Sequence, residues 1–185
     1  GLFFAQDQGR IDNAVERGAQ ALLKDKLAAV KHPFEGEFAP DELTLYTLII
    51  AGHGLDDKTK TLLDRVTSAP LKRTYNVALQ AVALEELDKK KWQGRIAECG
   101  QWLVDTQAKN GQWGYGKVPE TKDVATGSAP SSGGKQITIK KKAATSPENG
   151  DNSNSQYAAL AIRSCLQSNI KLPDETLSLA AKGWE

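Results

Sequence analysis

Trp102-Leu103-Val104-Asp105-Thr106-Gln107-Ala108-Lys109-Asn110-Gly111-Gln112-Trp113-Gly114-Tyr115 is the stretch whose reading decides the fold of this chain. It opens as the tail of an amphipathic helix and closes as a glycine-punctuated turn carrying two aromatic rings. Helix pairs lead up to it. A long polar excursion and a further helix pair follow it.

Upstream, the first helix is expected over 11–27, where Ile11, Ala14, Val15, Gly18, Ala21, Leu22 and Leu23 recur at spacings of three and four. Pro33 and Gly36 punctuate its end. A second helix starts at Pro40 or Asp41 and runs to Ala51. It is apolar on most of its circumference, which predicts burial. Gly52-His53-Gly54-Leu55 forms a turn. Asp56-Asp57 then opens a third helix near 58–68, with acidic groups at the positive helix end, and Ala69-Pro70 stops it. The fourth helix, 74–87, is Ala-rich and apolar nearly all round. The fifth, 92–107, is amphipathic and leads into the opening stretch.

Downstream, residues 116–150 are rich in Pro, Gly, Ser and Lys. Within them Lys135-Gln136-Ile137-Thr138-Ile139-Lys140 alternates polar and β-branched residues, as a short strand or half of a hairpin would. A sixth helix is expected over 152–166 and a seventh from Pro173 to Trp184. Amphipathic helices thus take turns with apolar, Ala-rich ones. The arrangement that explains this simply is a two-layer helical ring or solenoid, with apolar helices inside and charged faces of the amphipathic helices outside. A shift of 81 positions supports a repeat. It lays Val15 on Ile96, Gly18 on Cys99, Leu22 on Leu103, Thr74 on Ser155, Val77 on Ala158, Leu79 on Leu160 and Leu84 on Cys165.

Composition bounds the function. The 185 residues carry 39% hydrophobic and 25% charged side chains and a net charge of +1, which argues against nucleic acid or an anionic membrane as the main partner. No run approaches the roughly 20 apolar residues of a transmembrane segment. Gly1-Leu2-Phe3-Phe4-Ala5-Gln6 reads either as the remnant of a secretory signal, implying a periplasmic or extracellular location, or as a docking segment. The chain contains no Met, so its natural start is expected upstream. Cys99 and Cys165, with His32 and His53, form no metal-ligand spacing, so no metal and no cofactor are expected. The cysteines read as reduced core residues, with one disulfide as the alternative in an exported chain.

Gln107, Gly111 and Trp113 stand as Gln, three residues, Gly, one residue, Trp. This resembles the QW repeat of squalene and hopene cyclases and the related repeat of protein prenyltransferases. Gly150-Asp151-Asn152-Ser153-Asn154-Ser155-Gln156-Tyr157 is similar to the start of the inner helix that follows such a repeat. The resemblance implies an all-α fold: an α/α-toroid-like array of paired inner and outer helices, here a partial ring with one long loop or short β-hairpin insertion. It extends over Ile11 to Trp184 as a pattern of helices. The chain reads as a single helical-repeat domain over 1–185, with 1–10 as an N-terminal segment and 116–150 as the insertion, expected to be part of a longer chain. The catalytic motifs of these families are not matched. Where class II cyclases carry Asp-x-Asp-Asp, this chain has Asp151-Asn152-Ser153-Asn154, with one carboxylate. The Asp/Cys/His zinc set of the prenyltransferases has no counterpart, and Cys99-Gly100-Gln101 departs from the thioester motif of other toroids.

Two functions follow. The first is a non-catalytic binding or scaffold module, with a protein, glycan or isoprenoid partner. Its contact surface would be the insertion and the inner-helix N-termini, where Tyr46, Tyr75, Asn76, Tyr115, Asn154, Gln156 and Tyr157 are the candidate ligand-binding residues. The alternative is an enzyme of the terpenoid-cyclase or polysaccharide-lyase kind, with Asp151 and a tyrosine at the site. Against both stands a plain structural reading in which Asp151 caps a helix, the tyrosines fill the core rim and His53 sits in a solvated turn. Lys140-Lys141-Lys142 reads as a solvated charge run, or as a dock for an acidic partner.

Overall fold

The computed structural model describes residues 2–24, 40–116 and 134–184. His32, the Pro33–Gly36 punctuation and 117–133 of the insertion lie outside them. The described residues form seven helices and one short two-stranded sheet: α1 (Leu2–Lys24), α2 (Pro40–Ile50), α3 (Asp57–Ser68), α4 (Thr74–Asp88), α5 (Gln93–Thr106), β1 (Ile137–Thr138), α6 (Asn152–Gln167), β2 (Ile170–Lys171) and α7 (Asp174–Lys182). The all-α expectation holds. The chain divides into two compact units, Gly1–Ser68 and Ala69–Glu185.

In the first unit, α1 begins well before the expected Ile11, because residues 2–10 hold no proline and continue the helix without a break. Among its described side chains Ala19 and Leu23 are covered, whereas Ile11 and Val15 are half exposed. Pro40 opens α2, where its missing N–H costs nothing. Asp41 in that first turn pairs with Arg65 of α3 at 2.7 Å. The apolar circumference of α2 predicted burial all round. It buries Leu45 and Leu48 but leaves Leu43 and Ile50 exposed, since α1 and α3 cover only part of it.

The second unit is built on α4, α5 and α6, which pack against one another. Val77, Ala78, Ala81, Ala83 and Leu84 of α4 and Ala158, Ala161 and Cys165 of α6 form its fully covered core. Alanines let the two axes approach closely, and every apolar side of α4 finds a neighbour. The N-terminal turns of α4 and α6 lie at the same end, since Tyr75 and Tyr157 touch there.

The fifth helix departs from expectation. Its polar face was expected in solvent, yet Gln93, Gly100, Asp105 and Thr106 are all buried. Residues 134–147 run along that face and are pinned to it. Gln93 donates to the carbonyls of Lys135 (2.9 Å) and Ser168 (2.8 Å) and accepts from the N–H of Gly134 (3.1 Å). Gln101 donates to the carbonyl of Lys140 at 2.8 Å. Asp105 accepts from the N–H groups of Lys142 and Ala143 at 2.6 and 3.0 Å, and Lys109 N–H reaches the Pro147 carbonyl at 2.8 Å. A polar stripe on a helix can thus satisfy the backbone of a covering loop as well as face water.

The strand within the insertion also finds a different partner. Among the described residues β1 pairs with β2, in parallel, Ile137 opposite Ile170 and Thr138 opposite Lys171. Ile139 is buried beside Gly100. Cys99 and Cys165 are both free thiols in the core. Burial pushes the Cys165 thiol up to about 12.

Candidate functional site

The opening stretch is a structural clamp. Gln107 is fully buried just past the end of α5, where its amide donates to the carbonyls of Gly111 and Thr176, each at 3.0 Å. One side chain thereby closes its own turn and ties down the first turn of α7. Gly111 has φ +86, and a Cβ there would lie 1.9 Å from the Leu179 carbonyl oxygen. Both the left-handed backbone and the close approach of α7 demand glycine. Trp113 is buried, and its indole N–H donates to the Leu103 carbonyl at 2.8 Å.

The chain then crosses the N-terminal ends of two helices. Trp113 and Asp151 form an antiparallel bridge, with the Asp151 N–H on the Trp113 carbonyl at 2.9 Å. The Ser155 hydroxyl accepts from Trp113 N–H at 3.0 Å. The Thr74 hydroxyl donates to the Gly114 carbonyl at 2.5 Å, and Thr74 N–H donates to the Tyr115 carbonyl at 3.2 Å. Thr74 and Ser155 occupy equivalent positions under the 81-residue shift. They bracket one short segment, 113–115, between the starts of α4 and α6.

That segment carries Tyr115 to Tyr75, which in turn touches Tyr157. The Tyr75 and Tyr157 ring centroids are 4.5 Å apart and tilted by 56°. Tyr75 and Tyr115 are 6.4 Å apart and tilted by 42°. Such tilted contacts are the favoured geometry for aromatic pairs. Tyr115 remains 60% exposed, so the cluster is open at its outer ring. Three of the candidate binding residues are therefore gathered at one place.

The remaining candidates are distributed otherwise. Asn76 is half-buried beside Tyr75 in α4, and Gln156 is exposed beside Tyr157 in α6. Asn154 is fully buried and gives its amide N–H to Asp151 at 2.8 Å, so it faces no open surface. Its carbonyl oxygen finds no partner among the described residues. Tyr46 is half-buried on α2, in the first unit. The described part of the insertion, expected as contact surface, is tied to α5 through its backbone and keeps most of its side chains exposed.

Asp151 caps α6. Its Oδ1 accepts from the Asn154 N–H at 2.8 Å and the Ser153 hydroxyl at 2.7 Å, and its Oδ2 accepts from the Asn154 amide. Partial burial raises its pKa. The hydrogen bonds from Asn154 and Ser153 outweigh that and hold the carboxyl below its ordinary value. A carboxylate stabilised as an anion is a good helix cap and a poor proton donor.

One charged constellation escaped the sequence reading. His53 has Asp56 Oδ2 at 2.9 Å from Nδ1 and Glu16 Oε2 at 3.1 Å from Nε2. Asp56 was within reach by spacing. Glu16 lies in another helix, 37 positions away, and no local pattern signals it. No family model, curated protein or solved structure matches this chain.

Proposed function

We propose that this chain is a non-catalytic binding module on an α/α-toroid-like frame, and that the Tyr75–Tyr115–Tyr157 cluster is its contact surface for a neutral glycan. The observation that carries the reading is the gathering of three tyrosine rings at the shared N-terminal end of α4 and α6, with Tyr115 open to solvent. Open aromatic faces suit the C–H faces of a sugar ring, and the neighbouring amides Asn76 and Gln156 suit its hydroxyls. An isoprenoid tail gains most from an enclosed apolar cavity, whereas this cluster is exposed on its outer side. The side-by-side packing of α4 and α6 under α5, with equivalent hydroxyls at both helix starts, supports the inner-and-outer pairing of the toroid frame.

The state of Asp151 weighs against the enzyme alternative, because its oxygens are engaged in the cap and its pKa is lowered. Titration of the protein with soluble neutral oligosaccharides, followed by calorimetry, tests the proposal. Saturable binding is expected with at least one of them, weakened tenfold or more in Tyr115→Ala with the circular dichroism unchanged. Asp151→Ala serves as the control: it should cost about 1 kcal/mol of stability and leave affinity as it was. If no oligosaccharide binds, or if Tyr115→Ala binds like the parent, the reading is wrong.

A further inference from the structure

The first unit carries a device that the tyrosine cluster does not involve. Among the described residues, α1 is held to the rest of its unit by the buried Ala19 and Leu23, with Gln20 and Leu22 half-covered. Two polar ties supplement them. Lys58 of α3 donates to the Leu23 carbonyl at 2.5 Å. His53, in the turn after α2, meets Glu16 of α1 at 3.1 Å through Nε2.

The second tie has a specific chemistry. Both ring nitrogens of His53 face carboxylate oxygens, Glu16 on one side and Asp56 on the other. Ionised carboxylates only accept hydrogen bonds, so both contacts are hydrogen bonds only when the imidazole carries two protons. A neutral ring must turn a lone pair toward one carboxylate, which converts an attraction into a repulsion. His53 also lies just past the C-terminus of α2, its backbone N–H on the Leu48 carbonyl at 2.8 Å, where the helix dipole favours a cation.

Among the described residues, the charged groups beside the ring come from α1, the turn and the start of α3. From α1, Glu16 faces it, with its other oxygen taken by Gln20 at 2.9 Å. From the turn, Asp56 faces it. At the start of α3, Asp57 pairs with Lys60 at 3.0 Å, and Lys58 is engaged with Leu23.

We infer that Glu16, His53 and Asp56 form a pH-sensitive clasp that holds α1 onto the α2–α3 turn while His53 is protonated and releases it when the ring becomes neutral. The direction of the titration agrees. The hydrogen bond to Asp56, then that to Glu16, raise the His53 pKa, and partial burial opposes them. Glu16 is shifted down, first by Gln20 and then by His53. A raised histidine pKa contributes stability that is whole below its unfolded value near 6.5 and is lost as pH rises through the folded value. A lowered glutamate pKa contributes stability above its unfolded value near 4.5, lost as pH falls through the folded one. The clasp is therefore closed in mildly acidic solution and opens on the alkaline side.

Hydrogen exchange of the full chain, corrected for the intrinsic pH dependence of exchange, reads this directly. Protection of residues 10–23 should fall at least fivefold between pH 5.5 and 8.5, while protection of α4–α6 stays constant. The midpoint should coincide with the titration of the His53 ring by NMR. In Glu16→Gln, α1 should already be poorly protected at pH 5.5, with the His53 midpoint lowered. In His53→Gln the pH dependence should vanish. Flat α1 protection in the parent overturns the proposal. So does pH dependence that survives in His53→Gln or, should that variant fail to fold, is undiminished in Glu16→Gln.

Discussion

A single added carbon separates two kinds of glycine here. Gly150 passes so close to the Trp113–Asp151 bridge that a Cβ would lie 2.5 Å from the Trp113 backbone N and C atoms. Backbone on both sides cannot yield as a side chain can. Gly18, in the middle of α1, would meet nothing within 4 Å. Gly150→Ala is therefore expected to destabilise the second unit by more than about 2 kcal/mol. Gly18→Ala is expected to stabilise the first unit by about 0.5–1 kcal/mol through helix propensity. Denaturant melts that separate the units check both. Equal effects of the two substitutions would show that the bridge is looser than its distances imply.

Among the elements, α5 teaches most. An acidic residue in a helix's last turn sits at the unfavourable end of the dipole. Asp105 occupies that position because it receives the N–H groups of Lys142 and Ala143. Asp105→Ala should leave α4 and α6 protected from hydrogen exchange while the amides of 142 and 143 lose protection at least tenfold. Unchanged protection there would mean that Ile139 and β2 hold the segment without it. The helices themselves were legible in the sequence to within a few residues, α1 apart, because Pro40, Asp57, Pro70 and the Asp151 cap mark their limits by local chemistry. The covering of α5 and the parallel pairing of β1 with β2 were not legible. Each depends on partners more than 30 positions distant (Gln93 with Lys135, Ile137 with Ile170), and a polar stripe looks the same whether water or a loop satisfies it. The candidate site was legible in part: Tyr75, Tyr115 and Tyr157 could be proposed one by one, but their convergence required the hydroxyl clasp on 113–115. The His53 constellation was not legible, because Glu16 lies 37 positions away and no local pattern marks a partner for the ring.

At the scale of the whole molecule, the two units can be followed independently through the thiols. Both cysteines belong to 69–185, and both are fully buried. Burial pushes the Cys165 thiol up to about 12, so almost none of it is thiolate while the core stays closed. An aromatic disulfide reagent at pH 8.5 should leave both thiols unmodified over hours in native buffer, although the α1 clasp is open at that pH. Both should react as the second unit unfolds in denaturant. Rapid labelling in native buffer would mean that opening of the first unit spreads into the second.

The parallel pairing of β1 with β2 has a kinetic consequence. Two residues per strand cannot hold a sheet by themselves, and the strands lie on either side of α6 in the chain, so their pairing can form only once α6 has docked. It is expected to form on the late side of the folding barrier. Weakening the 134–147 strap through Asp105→Ala should then steepen the escape from the native state and leave the rate of its formation nearly unchanged. The strap acts as a latch on lifetime: it sets how long the second unit stays closed more than how fast it assembles.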